Sequence, residues 1–438
     1  MNAERDTGTT PEARADRGTE GRPRLSRRGL LAAAGAGGIG IAAGALGHAA
    51  VAGERADRAA SDVVPVHGEH QAGIATEAQD RMHIAAFDVT ATDRAELVSL
   101  LRDWTAAIED MAAGREIGEG GATGGHYAAP PEDTGEAIGL SASHLTVTLG
   151  FGRTLFERDG EDRFGLAERL PDALADLPHF PGDALEEARC GGDLVVQACA
   201  DDPQVAVHAV RNLARIGFGR ARVRWSQIGF GRTSSTSRSQ TTPRNLFGFK
   251  DGTANLKNEE REALDQHVWV SGQTAGAAWM NGGTYMVARR IRMQIETWDR
   301  TPLGEQENIL GRTKREGAPL SGGTEFSEPD FGVEGSAGPL VAADSHVAIA
   351  HPSANDGVKM LRRGFNYTDG SDGLGRLDAG LFFIAFVVDP RTHYVPMQTA
   401  MAKVDLLSEY IRHTGSGLFA VPPGVQAGGY IGQQLLEA

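Results

Sequence analysis

The chain has 438 residues, which is too many for one ordinary hydrophobic core and favours two folded domains of roughly 150–200 residues each. Hydrophobic residues make up 40% and charged residues 23% of the sequence, which indicates a globular chain and excludes a low-complexity one. The formal net charge of −15 argues against nucleic-acid binding, because such a surface repels a phosphate backbone.

The N-terminal 52 residues predict an export signal. Residues 1–23 are polar and patternless, the adjacent Arg27 and Arg28 follow, and a Gly/Ala-rich apolar stretch extends to about Leu46. Residues 50–52 have the A-x-A form of a signal-peptidase site. This pattern predicts recognition by the twin-arginine translocase and a periplasmic, cell-surface or extracellular location; a membrane anchor is the alternative. That route carries folded proteins, so it also points to a cofactor acquired in the cytoplasm.

Alternating strand and helix patterns fill residues 53–235. Strand patterns occur at 83–89, 144–149, 193–198 and 222–228, and helix patterns occur at 97–111 and from Pro203 to about Ile216, with an aspartate as the cap. This β-α-β-β-α-β order is the ferredoxin-like arrangement. The two cysteines, Cys190 and Cys199, flank a predicted strand that would hold them about 25–30 Å apart. We therefore expect two buried free thiols.

A Ser/Thr-rich run at 233–242 has no apolar periodicity and predicts the linker to a second domain over 236–438. That domain repeats the theme, with strand patterns at 283–293, 381–388 and 417–421, a helix over 297–310 that Pro302 interrupts, a short strand or turn at 347–350, and an amphipathic helix over 397–411. The expected fold class is α+β, with two ferredoxin-like domains. Each has an antiparallel sheet with helices packed on it, and the sheets face each other in a dimeric α+β barrel-like arrangement.

Three short segments carry residues suited to chemistry. Asp251 stands between Gly-flanked apolar residues, where an Asp-Gly turn is the simpler explanation. His346 precedes an apolar run; such a histidine is often a core residue, but imidazole is also the usual axial ligand of haem iron, and His351 is a second candidate. Arg362 and Arg363 lie among apolar residues, either as a surface pair or as buried cations that need an anionic partner.

Taken together, these segments resemble a known family. GFKDGT (248–253) resembles the G-x-x-D-G signature of dye-decolourising peroxidases. Further segments resemble the family in order: HQAGI (70–74), DTGEA (133–137), LTVTLGFG (145–152), VVQACADDP (195–203), GRTKREGAPL (311–320), RRGFNYTDG (362–370), GLFFIAFVVDP (380–390) and EYIRHTGSGLFAVPPG (409–424). The resemblance covers nearly all of residues 66–438. It is close to the exported branch of the family, which includes the peroxidase of bacterial iron-uptake operons.

The resemblance implies a haem peroxidase with one haem b per chain, bound mainly by the second domain. Such an enzyme reduces hydrogen peroxide and oxidises organic donors, such as dyes and phenols, through an oxyferryl intermediate. The resemblance assigns Asp251 as the distal aspartate and His346 as the proximal iron ligand. It assigns Arg363, in preference to Arg362, as the distal arginine. The other residues expected around the haem are Gly252, Thr253, Ala254, Arg312, His351, Pro352, Ser353, Arg362 and Asp405.

Within that set, Asp405 resembles the carboxylate that accepts the other ring N–H of the ligand histidine. Arg312 resembles the arginine that contacts a haem propionate. Ser353 departs from some relatives, which have a basic residue there, so the propionate contacts on that side stay open. Aromatic residues of the second half are either electron relays or core residues: Trp269, Trp279, Trp298, Tyr285 and Tyr410.

Three other functions remain open at this stage. The first is a deferrochelatase that releases iron from haem and leaves the porphyrin intact. The second is a haem-carrying or redox-partner protein without turnover in metal homeostasis, and the third is a haem-free ferredoxin-like binding protein. A homo-oligomer is compatible with all of them.

Overall fold

The computed structural model describes residues 62–271, 278–336 and 338–437. The predicted export signal over 1–52, and with it the domain boundary at residue 53, lies outside the described residues. From residue 62 onwards the chain belongs to one compact unit. Within the described ranges, none of the helices combines the length and the hydropathy that crossing a membrane requires.

The first half has the predicted β-α-β-β-α-β order. Its strands are β1 (Arg81–Val89), β2 (Thr146–Gly152), β3 (Leu194–Ala200) and β4 (Ala221–Arg232), and its long helices are α1 (Arg94–Ala112) and α2 (Pro203–Ile216). The Asp202 side chain accepts the Gln204 N–H at the start of α2, as the sequence predicted. Shorter helical turns are Arg153–Phe156, Ala167–Arg169 and Glu187–Arg189.

The second half has the same strand and helix theme with more short elements. Its main elements are α3 (Arg261–His267), β5 (Thr284–Met293), α4 (Leu303–Leu310), α5 (His346–Ala350), β6 (Phe365–Ser371), β7 (Leu377–Val387), α6 (Val395–Val404) and β8 (Ile411–Val421). Short helical turns are Ala278–Met280, Ile295–Trp298, Pro352–Ala354, Pro390–His393, Leu406–Glu409 and Gln433–Leu436. Two-residue strands are Glu334–Gly335, Gly338–Pro339 and Leu361–Arg362.

The eight long strands form one closed antiparallel sheet. Its order is β5-β8-β2-β3-β1-β4-β6-β7, and β7 pairs with β5 to close it. The strand order is 2-3-1-4 within each half, and the halves join through short pairings of β8 with β2 and of β4 with β6. The mixed α+β class is thus confirmed.

Alternate residues of the strands face two different cores, as the two-residue period of a strand requires. Phe87 of β1 packs with Trp104 of α1 in a cluster between the sheet and the helices. Ile84 of β1 belongs instead to a cluster with Met286 and Phe386 of the second half. The apolar contacts therefore join both halves.

The predicted linker is not an exposed connection. Residues 233–237 are all buried. Their polar groups are paired: Thr236 Oγ1 donates to Thr76 O, and Lys257 Nζ donates to Ser235. Because hydrogen-bonded hydroxyl groups can be buried at little cost, a polar run lacking periodicity can lie inside the structure, as 233–237 does.

Three element predictions in the second half need correction or refinement. Residues 347–350 are helical, in α5; the sequence did not show this because four apolar residues are too few to reveal a period. The helix predicted over 397–411 ends at Val404, where Asp405 caps a new turn by accepting the Leu407 N–H, and Ile411 already begins β8. The helix over 297–310 is divided at Pro302, as its sequence indicated.

Both cysteines are free. Cys199 of β3 is fully buried, and burial raises the pKa of its thiol to about 11. Cys190 is only half-buried, so the expectation of two buried thiols is correct for one of them.

His83 in β1 should make the fold sensitive to acid. Its Nδ1 is buried and makes no hydrogen bond to any described residue, and burial lowers its pKa from 6.5 to about 4. An unfolded chain binds a proton here below pH 6.5, whereas the folded chain does so only near pH 4. Stability should therefore fall as pH drops through this window, by at most about 1.4 kcal/mol per pH unit from this residue.

His83→Gln should therefore lose less stability than the wild-type protein between pH 7 and pH 4.5. Urea unfolding at several pH values measures the slope, and His126→Gln, at an exposed histidine, is the matched control. Equal slopes for His83→Gln and the control would show that His83 does not sense acid.

Candidate active site

A cavity of about 260 Å³ lies in the second half, between residues 245–254, α5, α6 and the inner ends of β5, β7 and β8. Ten of the twelve predicted site residues line it: Asp251, Gly252, Thr253, Ala254, Arg312, His346, His351, Pro352, Arg362 and Asp405. Arg363 and Ser353 do not. The family resemblance therefore predicted most of one cavity wall from segments as far apart as Asp251 and Asp405.

His346 is the first residue of α5 and is oriented by a buried carboxylate. Its Nδ1 lies 2.7 Å from Asp405 Oδ2, and Asp405 Oδ1 accepts the Leu407 N–H. Because the carboxylate is an acceptor, Nδ1 donates and Nε2 is left with its lone pair. Burial disfavours the charged imidazole, but the Asp405 carboxylate outweighs burial and raises the pKa of His346. Nε2 makes no hydrogen bond to any described residue, so it is available as a ligand.

Asp251 and Arg362 form an ion pair at the same cavity. Arg362 Nη1 donates to Asp251 Oδ1 at 2.8 Å, and Asn245 Nδ2 makes a longer contact of 3.3 Å with Asp251 Oδ2. Within the described residues, Nε and Nη2 of Arg362 make no hydrogen bond, and its side chain is 28% exposed. The pair therefore offers a weakly engaged carboxylate oxygen beside guanidinium donors.

The preference for Arg363 over Arg362 is wrong. Successive residues of an extended segment point to opposite sides, so only one of the two can face the cavity. Arg363 points away, is 1% exposed, and donates to the backbone carbonyls of Thr76 and Glu77 and to the Gln79 side chain. Arg363 thus holds the segment that precedes β1 and has no access to the cavity.

The structure also places Ser353 outside the cavity that the other predicted residues line. Ser353 is exposed, and its Oγ lies 2.8 Å from His351 Nδ1. The other ring nitrogen of His351 lies 2.8 Å from Glu328 Oε1. Both nitrogens of His351 are therefore engaged, which favours His346 as the ligand.

Gly252 is required by a close approach of two segments. Its φ is +88°, and a Cβ there would lie 2.8 Å from Ser234 Cα. Only glycine accepts both the left-handed backbone and the contact. The Asp-Gly turn and the buried run 233–237 consequently pack directly on each other and fix the position of Asp251.

Asn255 is a site residue that the sequence analysis missed. Its Oδ1 accepts the Arg362 N–H at 2.7 Å, and its Nδ2 donates to Arg362 O at 2.9 Å. Asn255 is buried and also donates to Ser235 O. It therefore holds both backbone groups of the arginine that faces the cavity. No spacing or periodicity in the sequence marks a contact between residues 107 positions apart.

Asn255→Ala should therefore slow the reaction with peroxide by about tenfold and destabilise the fold by about 1–3 kcal/mol, because it leaves the backbone groups of Arg362 unpaired. Asn258→Ala is the matched control, since its side chain makes no contact with Arg362. Stopped-flow mixing with hydrogen peroxide and urea unfolding measure the two effects. Equal peroxide rates in both variants would remove Asn255 from the site.

The cavity residues fit a haem. Apolar side chains from the strands and from α6 provide the walls: Ile291, Met293, Leu381, Phe383, Met397, Met401 and Ile411. Arg312 lines the cavity with only backbone carbonyls as partners, Gly317 O at 2.8 Å and Glu325 O at 2.9 Å. Burial lowers its pKa, and no carboxylate of the described residues forms an ion pair with it. An apolar cavity with the available imidazole of His346 and a guanidinium, Arg312, that forms no ion pair among the described residues matches a porphyrin iron and its propionate.

A cavity with a carboxylate-backed imidazole and an Asp–Arg pair is the type of site that a haem peroxidase uses. Comparison with protein families agrees: residues 71–231 match the N-terminal and residues 242–426 the C-terminal model of Dyp-type peroxidases. The chain therefore belongs to the Dyp-type peroxidase family, a family of haem peroxidases.

Individual relatives are similar over most of the chain. A protein named deferrochelatase from Escherichia coli strain K12 is 37% identical over 378 residues, which cover 85% of this chain and 87% of the relative. Ferric DtpA from Streptomyces lividans is 41% identical with a TM-score of 0.77, covering 86% of this chain and 97% of DtpA. The DyP-type peroxidase from Cellulomonas bogoriensis is 39% identical with a TM-score of 0.75, covering 86% of this chain and 98% of that protein.

Proposed function

We propose that the protein is a haem-dependent peroxidase that binds one haem b per chain, reduces hydrogen peroxide and oxidises organic donors such as dyes and phenols. The observation that carries this proposal is the shared cavity. The lone pair of His346 Nε2 and the Asp251–Arg362 pair line the same apolar space. The ferric and oxyferrous states named for DtpA, at 41% identity, support haem as the cofactor.

His346 would hold the haem iron, with its ring oriented and kept basic by Asp405, and Arg312 would meet a propionate. The bound haem supplies the redox chemistry that reduces peroxide. Asp251 takes a proton from hydrogen peroxide at Oδ2, the oxygen with only a 3.3 Å contact, and returns it to the departing oxygen. The unpaired N–H groups of Arg362 stabilise the negative charge that develops on that oxygen.

Among the predicted electron relays, Trp298 is the best supported. It stacks on Phe247, a cavity residue, with ring centroids 4.4 Å apart, and makes an edge contact of 5.1 Å with Tyr410. All five candidate aromatic residues are buried and lie outside the cavity lining, but no ring contact joins Trp269, Trp279 or Tyr285 to a cavity residue among the described residues. We propose that large donors deliver electrons through Tyr410 and Trp298.

The experiment is to record the absorption spectrum of the haem-loaded protein and add one equivalent of hydrogen peroxide. A Soret band that weakens and shifts within seconds, and then recovers when a dye is added, supports a peroxidase. A Soret band that ignores peroxide refutes turnover and leaves a haem carrier or redox partner. The Asp251–Arg362 pair argues against that carrier, which needs neither group.

A second candidate function is iron release from haem with an intact porphyrin. The relatives at 37% identity that are named deferrochelatase favour it. Chromatography after incubation with haem and a reductant distinguishes iron release from peroxidase activity. Iron-free porphyrin among the products supports iron release, and unchanged haem excludes it.

We further propose export by the twin-arginine translocase and a position outside the cytoplasm. Residues 26–31, with Arg27 and Arg28, support this proposal. Replacing both arginines with lysine should retain the protein in the cytoplasm, measured by cell fractionation; unchanged export excludes the route.

The matching 2-3-1-4 strand orders support two ferredoxin-like halves, 53–235 and 236–438, and a homo-oligomer is compatible with them.

A further inference from the structure

A polar cluster in the first half is far in sequence from the haem-site residues and unused by the peroxidase chemistry. Asp133 and Glu136 lie in the long loop between α1 and β2, and His208 lies on the buried face of α2. One ligand atom from each lies within 4.8 Å of the others, the one such group of His, Cys, Asp or Glu found among the described residues. Asp133 and His208 are almost fully buried.

The two ring nitrogens of His208 have different roles. Nδ1 lies 3.0 Å from Glu136 Oε2, whose carboxylate is fixed by Thr134 and Arg211. A carboxylate accepts, so Nδ1 carries the proton and Nε2 has the lone pair. This is the carboxylate–histidine arrangement that orients metal-binding imidazoles in proteins.

Nε2 of His208 and Oδ2 of Asp133 are spaced like two ligands of one metal ion. Nε2 lies 3.4 Å from Asp133 Oδ2 without forming a hydrogen bond to it. Two ligands at the usual zinc distances in a tetrahedral site lie about 3.4 Å apart. The Asn212 amide nitrogen lies 3.2 Å from His208 Nδ1 and 3.4 Å from Nε2, but it donates to Thr134 Oγ1 at the shorter distance of 2.7 Å.

Space and charge complete the site. A cavity of about 130 Å³ is lined by Asp133 and His208, with Glu116 and Ser141 on its wall, whereas Glu136 lies behind the imidazole. Asp133 is held in place by the Gly135 N–H on Oδ1 and the Ile117 N–H on Oδ2. The Asp133 and Glu136 carboxylates flank the imidazole; Arg211 pairs with Glu136, and Arg115, which also lines the cavity, pairs with Asp110.

We propose that Asp133 and His208 bind a divalent transition-metal ion of the zinc class, with water filling the remaining positions in this cavity. The ion ties the loop between α1 and β2 to α2. It is separate from the haem and independent of the peroxidase proposal. The competing explanation is a purely structural network in which His208 carries a second proton toward Asp133.

Equilibrium dialysis of the haem-loaded protein against Zn²⁺ alone, followed by elemental analysis, tests the site. One equivalent should bind to the wild-type protein and to His126→Gln, an exposed histidine in the same loop. His208→Gln and Asp133→Asn should each bind at least about tenfold more weakly. Unchanged binding in both variants, or no binding to the wild-type protein, overturns the proposal.

A second measurement does not depend on whether the variants fold. Cu²⁺ bound to the wild-type protein should show nitrogen couplings from one imidazole in pulsed electron paramagnetic resonance. Two imidazoles would assign the metal to His267 and His393, whose ring nitrogens lie 3.2 Å apart, and would overturn the proposal.

Discussion

Replacing His346 with alanine should leave a folded chain that loses most of its haem. Nε2 of His346 lies at the cavity without a hydrogen bond to any described residue, and Asp405 already holds the ring in one orientation. Removing it deletes the bond to iron but leaves the apolar walls and Arg312 in place. We expect haem occupancy to fall at least about tenfold, measured as Soret absorbance per protein.

His351→Ala is the matched control, because His351 lines the same cavity but both its ring nitrogens are engaged. It should keep normal haem occupancy. Added imidazole should restore ligation to His346→Ala, because the space of the lost ring is then free. Normal ligation in His346→Ala with haem loss in His351→Ala would move the ligand role to His351.

Local pattern was sufficient for many of the regular elements but missed α3 and β6, and it placed no helix at 347–350. The spacing of Leu97, Leu101, Trp104 and Ile108 marks the buried face of α1, and most of the long strands appear where apolar runs occur. These features depend on neighbours within one or two turns, which is what a period measures. The capping Asp202 and the break at Pro302 are local in the same sense.

Features that depend on three-dimensional neighbours were not predictable in this way. A spacing of 16 or 17 residues from His346 cannot distinguish Arg362 from Arg363, because side-chain direction depends on how the short strand 361–362 pairs with β7. The contacts of Asn255 with Arg362, and the burial of 233–237, exist only once distant segments are packed. Resemblance supplied the candidate residues, and geometry decided between neighbours.

Asp251→Asn should retain haem but react with hydrogen peroxide about 10²–10⁴-fold more slowly. The asparagine Oδ1 can still accept the Arg362 N–H that Asp251 accepts at 2.8 Å, so the arginine should stay in place. What is lost is the ability to accept a proton at Oδ2. The change therefore separates proton transfer from positioning, and stopped-flow mixing with peroxide measures it directly.

Two further variants test whether the slower reaction is specific to Asp251. Asp356→Asn, at an exposed aspartate in the segment after α5, should react like the wild-type protein. Arg362→Leu should slow the reaction by about 10²–10³-fold, because charge stabilisation at the departing oxygen is lost while the carboxylate remains. If Asp251→Asn reacted at the wild-type rate and Arg362→Leu did not, the proton would have to move through water held by the arginine, and Asp251 would serve only to orient it.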